Sequence, residues 1–207
     1  MSSTVETVET VDLVGGDVAL DLVNTGSRRE GGPFRERLHT YADLVTWAER
    51  VELIGAEEGV RLRAAAAARP DEASRVLERA RALRETVYRV FAAEARGDAP
   101  SPEDLAALSE AAADAASRRV LAAGRPGYEF AWPQWEALER LLWPVAMSAA
   151  ELLVSDDLAR VKECATDNCN WLFVDMSRNR SRRWCDMKDC GNRAKARRHY
   201  ARRRGAG

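Results

Sequence analysis

Four cysteines stand in this chain of 207 residues, in two pairs of equal spacing, Cys164-x4-Cys169 and Cys185-x4-Cys190, and there are no others. Thiolates are soft donors. A tetrahedral zinc takes four of them, usually as two short-spaced pairs from separate turns. Fifteen residues lie between the pairs, enough for a hairpin that folds one pair back onto the other. The expectation is one structural zinc held by Cys164, Cys169, Cys185 and Cys190. With four thiolates around it, the metal has no open position for water or substrate, so this is not a catalytic site. Competing uses fit less well. A thioredoxin-type redox pair wants a two-residue gap. Disulfides suit an exported chain, whereas Met1-Ser2-Ser3-Thr4-Val5-Glu6 shows no basic segment followed by an apolar run.

The residues around the cysteines carry a charge of their own. The whole chain has a formal net charge of -1, but residues 161–207 hold 13 Lys+Arg against 5 Asp+Glu, a balance of +8, which leaves -9 on the remainder. Lys162, Lys188 and Lys195 are the only lysines. The preference for arginine is therefore compositional, and the local excess of charge is the signal. Arg178, Arg180, Arg182 and Arg183 fall on the proposed hairpin. Arg193, Lys195, Arg197 and Arg198 fall on a helix expected over Asn192 to Arg204. Two basic elements joined at a zinc site can grip phosphates, and double-stranded DNA is the expected partner. RNA, an acidic protein surface, or a merely solvated basic face remain open. Asn192 and Arg193 lie in the first turn of the helix, where Asn suits adenine and Arg suits guanine. Alternatively, Asn192 caps the helix and Arg193 pairs with Asp186 or Asp189.

The elements that must position these groups can be read from periodicity. Val11 to Thr25 reads as a short hairpin or strand around Gly15-Gly16. Thr40 and Asp43 form a capping-box pattern ahead of helical spacing from Leu38 to Val51. Further helices are expected over about 57–68, 71–96 and 102–123, with a short strand at Tyr128 to Trp132. Pro133 should open another helix, kinked or restarted at Pro144. Beyond that, Trp171 to Val174 reads as a strand, residues 175–180 turn the chain, and residues 181–184 return it. Trp171, Phe173 and Trp184 are expected to pack around the cysteine turns. Gly191, directly after the last ligand, suggests a close backbone approach.

Two units follow: a helical domain over 1–155, and a zinc-stapled module over 156–207 joined at a hinge, Ser155-Asp156-Asp157. A module this small buries too little core to stand without its metal. The fold class is mainly α, a helical domain with a short β element plus a small β-hairpin/helix finger, treble-clef-like. Hydrophobic content is 46%. The longest apolar candidate, Leu141 to Val154, is broken by Pro144 and Glu151, so no membrane span is expected and a reducing, cytoplasmic setting is. Asp21, Asn24 and Arg28, beside a glycine-rich loop, are candidate contacts for a small-molecule effector. No metal triad, nucleophile elbow or phosphate loop accompanies them, so the chain is not expected to be an enzyme. Homodimerisation would give a single small finger useful specificity.

Cys164-x4-Cys169-x-Trp171-Leu-Phe-Val-Asp175-x-Ser177-Arg-Asn179, then Arg182-Arg183-Trp184-Cys185-x4-Cys190-Gly-Asn-Arg193, closely resembles the CGNR zinc-finger family of bacteria. Leu20-Asp21-Leu22-Val23-Asn24-Thr25 resembles the opening signature of the helical ABATE domain that precedes this finger. Together these resemblances span the chain. They imply that the four cysteines bind zinc and that the protein is a stress-related transcription regulator. Met176 stands where a hydroxyl residue is common in the family, and Leu22 where phenylalanine is frequent; neither is a proposed ligand.

Overall fold

The computed structural model describes residues 7–27, 34–124, 126–166 and 169–197. Its first element corrects the sequence expectation. Val18–Asn24 is a helix, α1, where β-branched residues had suggested a strand. Asp17 caps it by accepting the Ala19 N–H at 2.8 Å. Burial of Ala19, Leu20, Leu22 and Val23 then outweighs the weak local preference. Helix α2, Tyr41–Arg50, starts with the expected capping box: Thr40 Oγ1 accepts the Asp43 N–H at 3.2 Å, and the Asp43 carboxylate accepts the Thr40 N–H at 2.7 Å. Helices α3, Ala56–Ala68, and α4, Pro70–Arg96, follow.

Helix α5, Pro102–Ser117, is shorter than expected. The chain re-emerges as β1, Val120–Gly124, paired antiparallel with β2, Gly127–Ala131. Trp132 Nε1 donates to the Ala115 carbonyl at 2.9 Å, tying the hairpin to the end of α5. Pro133 opens no helix. A 3-10 turn at Leu138–Leu141 leads into α6, Leu142–Leu153. Pro144 sits in the first turn of α6, where its missing N–H would have no partner anyway. No helix among the described residues is long and apolar enough to cross a membrane.

The anticipated hinge is structured. Ser155 caps a 3-10 turn, Asp156–Arg160, that runs directly into β3, Val161–Glu163. β3 pairs antiparallel with β4, Leu172–Val174, in the register Val161↔Val174 and Glu163↔Leu172. This replaces the expected pairing of the Trp171 strand with residues 181–184, which form an irregular loop. Successive side chains on β4 point to opposite sides. Leu172 and Val174 join the main apolar core with Trp47, Val87 and Phe91. Trp171 and Phe173 face a second, smaller cluster with Val11, Cys164, Cys185 and Cys190.

Helix α1 is what holds β4 in place. Asn24 is buried, and its amide makes two hydrogen bonds to one residue of the strand: Nδ2 donates to the Leu172 carbonyl at 2.9 Å, and Oδ1 accepts the Leu172 N–H at 3.0 Å. One turn earlier on α1, Asp21 Oδ1 accepts the Gly15 N–H at 2.8 Å, and the Gly15 carbonyl accepts the Val174 N–H at 2.8 Å. A Cβ on Gly15 would lie 2.8 Å from the Asp21 backbone nitrogen, so the turn tolerates only glycine. Asn24 and Asp21, read from the sequence as effector contacts, are engaged in the scaffold instead. Arg28 lies outside the described residues.

Two outcomes are expected. Asn24→Ala strips both partners from buried backbone groups and should cost about 2–4 kcal/mol in denaturant unfolding; an effect below about 0.5 kcal/mol would show that the clamp is dispensable. Asp21 is raised to about 6, chiefly by burial, with the Asp17 carboxylate adding to the effect. Since the folded value lies above the unfolded one, the contribution of Asp21 is complete below about pH 4 and is lost as pH rises through about 6. Asp21→Asn keeps an acceptor for Gly15. It should therefore shrink the decline in stability between pH 5 and 7 by about 1–2 kcal/mol. Parallel pH–stability curves for the two proteins would contradict this.

Candidate metal centre

Each cysteine pair sits on a turn closed by its own backbone. In the first, the Cys164 N–H donates to the Trp171 carbonyl at 2.9 Å and the Cys169 N–H to the Thr166 carbonyl at 2.8 Å. In the second, Asp186 caps a π-helical turn, Met187–Gly191: its carboxylate accepts the Asp189 N–H at 2.8 Å, and its carbonyl accepts the Gly191 N–H at 2.9 Å. A Cβ on Gly191 would approach Met187 Sδ to 2.7 Å, which accounts for the close approach read from the sequence.

These turns bring all four sulfurs within 4.8 Å of one another. Cys169 Sγ and Cys185 Sγ are 3.7 Å apart, and Cys185 Sγ and Cys190 Sγ 3.5 Å. Disulfide sulfurs lie at about 2.05 Å, and all four cysteines are free. A zinc ion with bonds of about 2.3 Å to four sulfurs requires sulfur–sulfur edges of about 3.8 Å. The cluster fits that requirement. Cys164, Cys185 and Cys190 are buried, and Cys169 is partly so. Left to themselves, thiols this close share protons. Hydrogen bonds from Cys169, Cys185 and Cys190 hold Cys164 far below the ordinary thiol range, while the bonds to Cys164 push Cys169 and Cys185 up. A divalent cation lets all four ionise together.

Arg193 donates to Cys190 Sγ at 2.9 Å and pairs with Asp189 at 3.0 Å, so of the two sequence readings the structure shows the ion pair. Such contacts orient thiolates and offset their charge. Asn192 is exposed, its Nδ2 donating to the Lys188 carbonyl at 2.8 Å. Arg37, which the sequence reading passed over, is buried; it stacks over Trp171 at 5.5 Å and donates to the Thr25 carbonyl at 3.2 Å.

Asp175 organises the basic loop. Its carboxylate is wholly buried and accepts from Lys162 Nζ at 2.6 Å, Ser177 Oγ at 2.6 Å, the Ser177 N–H at 3.0 Å and the Arg182 N–H at 2.9 Å. Burial alone would raise Asp175, but these donors outweigh it and hold the carboxyl well below the usual range. Lys162 also donates to the Arg180 carbonyl at 2.6 Å. The sequence held one signal of this hub, an aspartate two residues before a serine at a turn. Its lysine partner, 13 positions upstream, left none.

With the loop fixed in this way, Arg178, Arg180 and Arg183 are exposed, as are Lys195 and Arg197 on the helical stretch 192–197. Arg182 departs from the expectation. Its guanidinium turns inward, lies 4.3 Å over the Phe173 ring and donates to the Trp184 carbonyl at 3.0 Å and to the Cys185 carbonyl. Arg198 lies outside the described residues.

Comparison with family models gives two matches. A model named ABATE, described as "Putative stress-induced transcription regulator", matches residues 16–156, and a CGNR zinc-finger model matches residues 160–203. The chain belongs to the ABATE family, with a CGNR zinc finger at its C-terminal end. Comparison with curated proteins returns no match. The CGNR match and the sulfur geometry agree on one structural zinc.

Metal analysis of the purified protein should return one zinc per chain. Cys169→Ser should lose it, along with the buried fluorescence of Trp171 and Trp184, while most far-UV helical signal persists because α1–α6 bury a separate core. Full zinc retention by the variant would remove Cys169 from the ligand set.

Proposed function

We propose that this ABATE–CGNR protein is a cytoplasmic, zinc-dependent transcription regulator that binds double-stranded DNA. In this reading, residues 156–207 grip the nucleic acid, and residues 1–155 sense an effector or self-associate. The observation that carries it is the basic surface flanking the thiolates. The loop fixed by Asp175 ends at Cys185 and turns Arg178, Arg180 and Arg183 to solvent, and residues 192–197 leave Cys190 as a helix bearing Lys195 and Arg197. Phosphate-binding cations must be exposed yet held in register, and a buried carboxylate hub beside a metal meets both needs. Asn192, at the start of the helix, is the residue best placed to read a base edge, with Arg193 set toward Cys190 Sγ. Arg182 supports the loop rather than the nucleic acid.

Binding of the zinc-loaded protein to a random duplex-DNA pool should weaken steeply with salt. The double variant Arg178→Ala/Arg180→Ala should lower the log–log slope by roughly 1.8, at about 0.9 for each phosphate no longer neutralised. Arg182→Ala should instead act mainly through stability, read as a lower melting temperature. Absent or salt-insensitive binding by protein shown to hold zinc would overturn the DNA reading. Equal binding to single-stranded RNA would redirect it.

A further inference from the structure

The helical body contains a cavity that no part of the zinc site uses. The buried residues of helix α5 are Leu108 and Ala115. Ala107 and Ala111, one turn apart on α5, line a gap together with Leu83 of α4 and Trp143 of α6. The result is a mostly apolar groove of about 420 Å³. That volume lies within the range of about 300–1,000 Å³ typical of small-molecule sites.

The rim carries carboxylates in excess over cations: Arg79 also lines the groove, and the Arg118 guanidinium lies 5.1 Å over the Trp143 ring. Glu110, Asp114 and Glu139 line the groove. Asp114 is paired with Arg118 at 2.9 Å, and Glu139 with Arg79. Glu110 has no ion-pair partner among the described residues, and it lies one turn from Ala107 on the same face of α5. An apolar floor beneath a carboxylate left without an ion pair among the described residues selects a molecule with a hydrophobic body and a positive end. We propose that the α4–α5–α6 groove binds a hydrophobic ammonium ligand, its apolar body against Leu83 and Trp143 and its cation at Glu110. This site is distinct from Asp21 and Asn24, and it stands independently of what the finger binds.

The test uses the full-length, zinc-loaded protein and titration calorimetry with two charge-reversed probes, 2-(1-naphthyl)ethylammonium and 3-(1-naphthyl)propionate. The ammonium should bind about tenfold more tightly than the carboxylate, a difference of about 1.4 kcal/mol. Ala111→Leu, which fills the groove, should weaken the ammonium at least tenfold at unchanged zinc content. Should that variant fold poorly, Ala107→Leu at the exposed mouth serves the same purpose. Glu110→Gln should remove most of the preference for the ammonium without abolishing binding of either probe. Equal or reversed preference, no heat from either probe at millimolar concentration, or ammonium binding unchanged by the filling variants would each overturn the proposal.

Discussion

β4 is a three-residue strand with two cores to serve. Leu172 and Val174 point into the helical body, while Trp171 and Phe173 on either side of Leu172 point toward the thiolates. A small metal-binding unit usually obtains its stability from the ion alone. Here the strand is also sewn to α1 by the Asn24 amide and the Gly15 carbonyl, so that helix, strand and sulfur cluster share one piece of backbone. Displacing β4 would expose Leu172 and Val174 on one side and open the thiolate cluster on the other. The finger is therefore mounted on the helical body rather than tethered to it.

That mounting bears on how the two ends could communicate. Helix α4 is 27 residues long, about 40 Å at 1.5 Å per residue. Near its middle it lines the groove through Arg79, Leu83 and Thr86. At its far end Arg96 holds Glu163 at 2.8 Å, one residue before the first thiolate. A single rigid element thus touches both the groove and the residue leading into the metal site.

Much of the metal centre was legible in the sequence because ligand chemistry is local in type and spacing. Two identical cysteine gaps and no stray thiols leave few assignments, and the turns at 164–169 and 185–190 close through their own backbone groups. The capping boundary at Thr40 was readable for the same reason, since it rests on hydrogen bonds spanning three residues. The misreadings concern groups whose partners are remote. Val18–Asn24 looks like a strand until its burial is known, and the 102–123 helix looks continuous until β2 is present to pair with Val120–Gly124.

The sequence by itself determined the ligand set, the excess of positive charge beside it and the mainly helical body, because composition, spacing and short-range hydrogen bonding carry that information. Only the tertiary structure decided which arginines face solvent. Arg178 and Arg182 are equivalent on paper, yet one is exposed and the other lies over Phe173 and donates to the backbone around Cys185. It likewise turned Asn24 from a candidate ligand contact into a clamp on Leu172, 148 residues away. In both cases the deciding partner is one the residue pattern does not name, and a side chain's role follows from what burial places within about 3 Å of it.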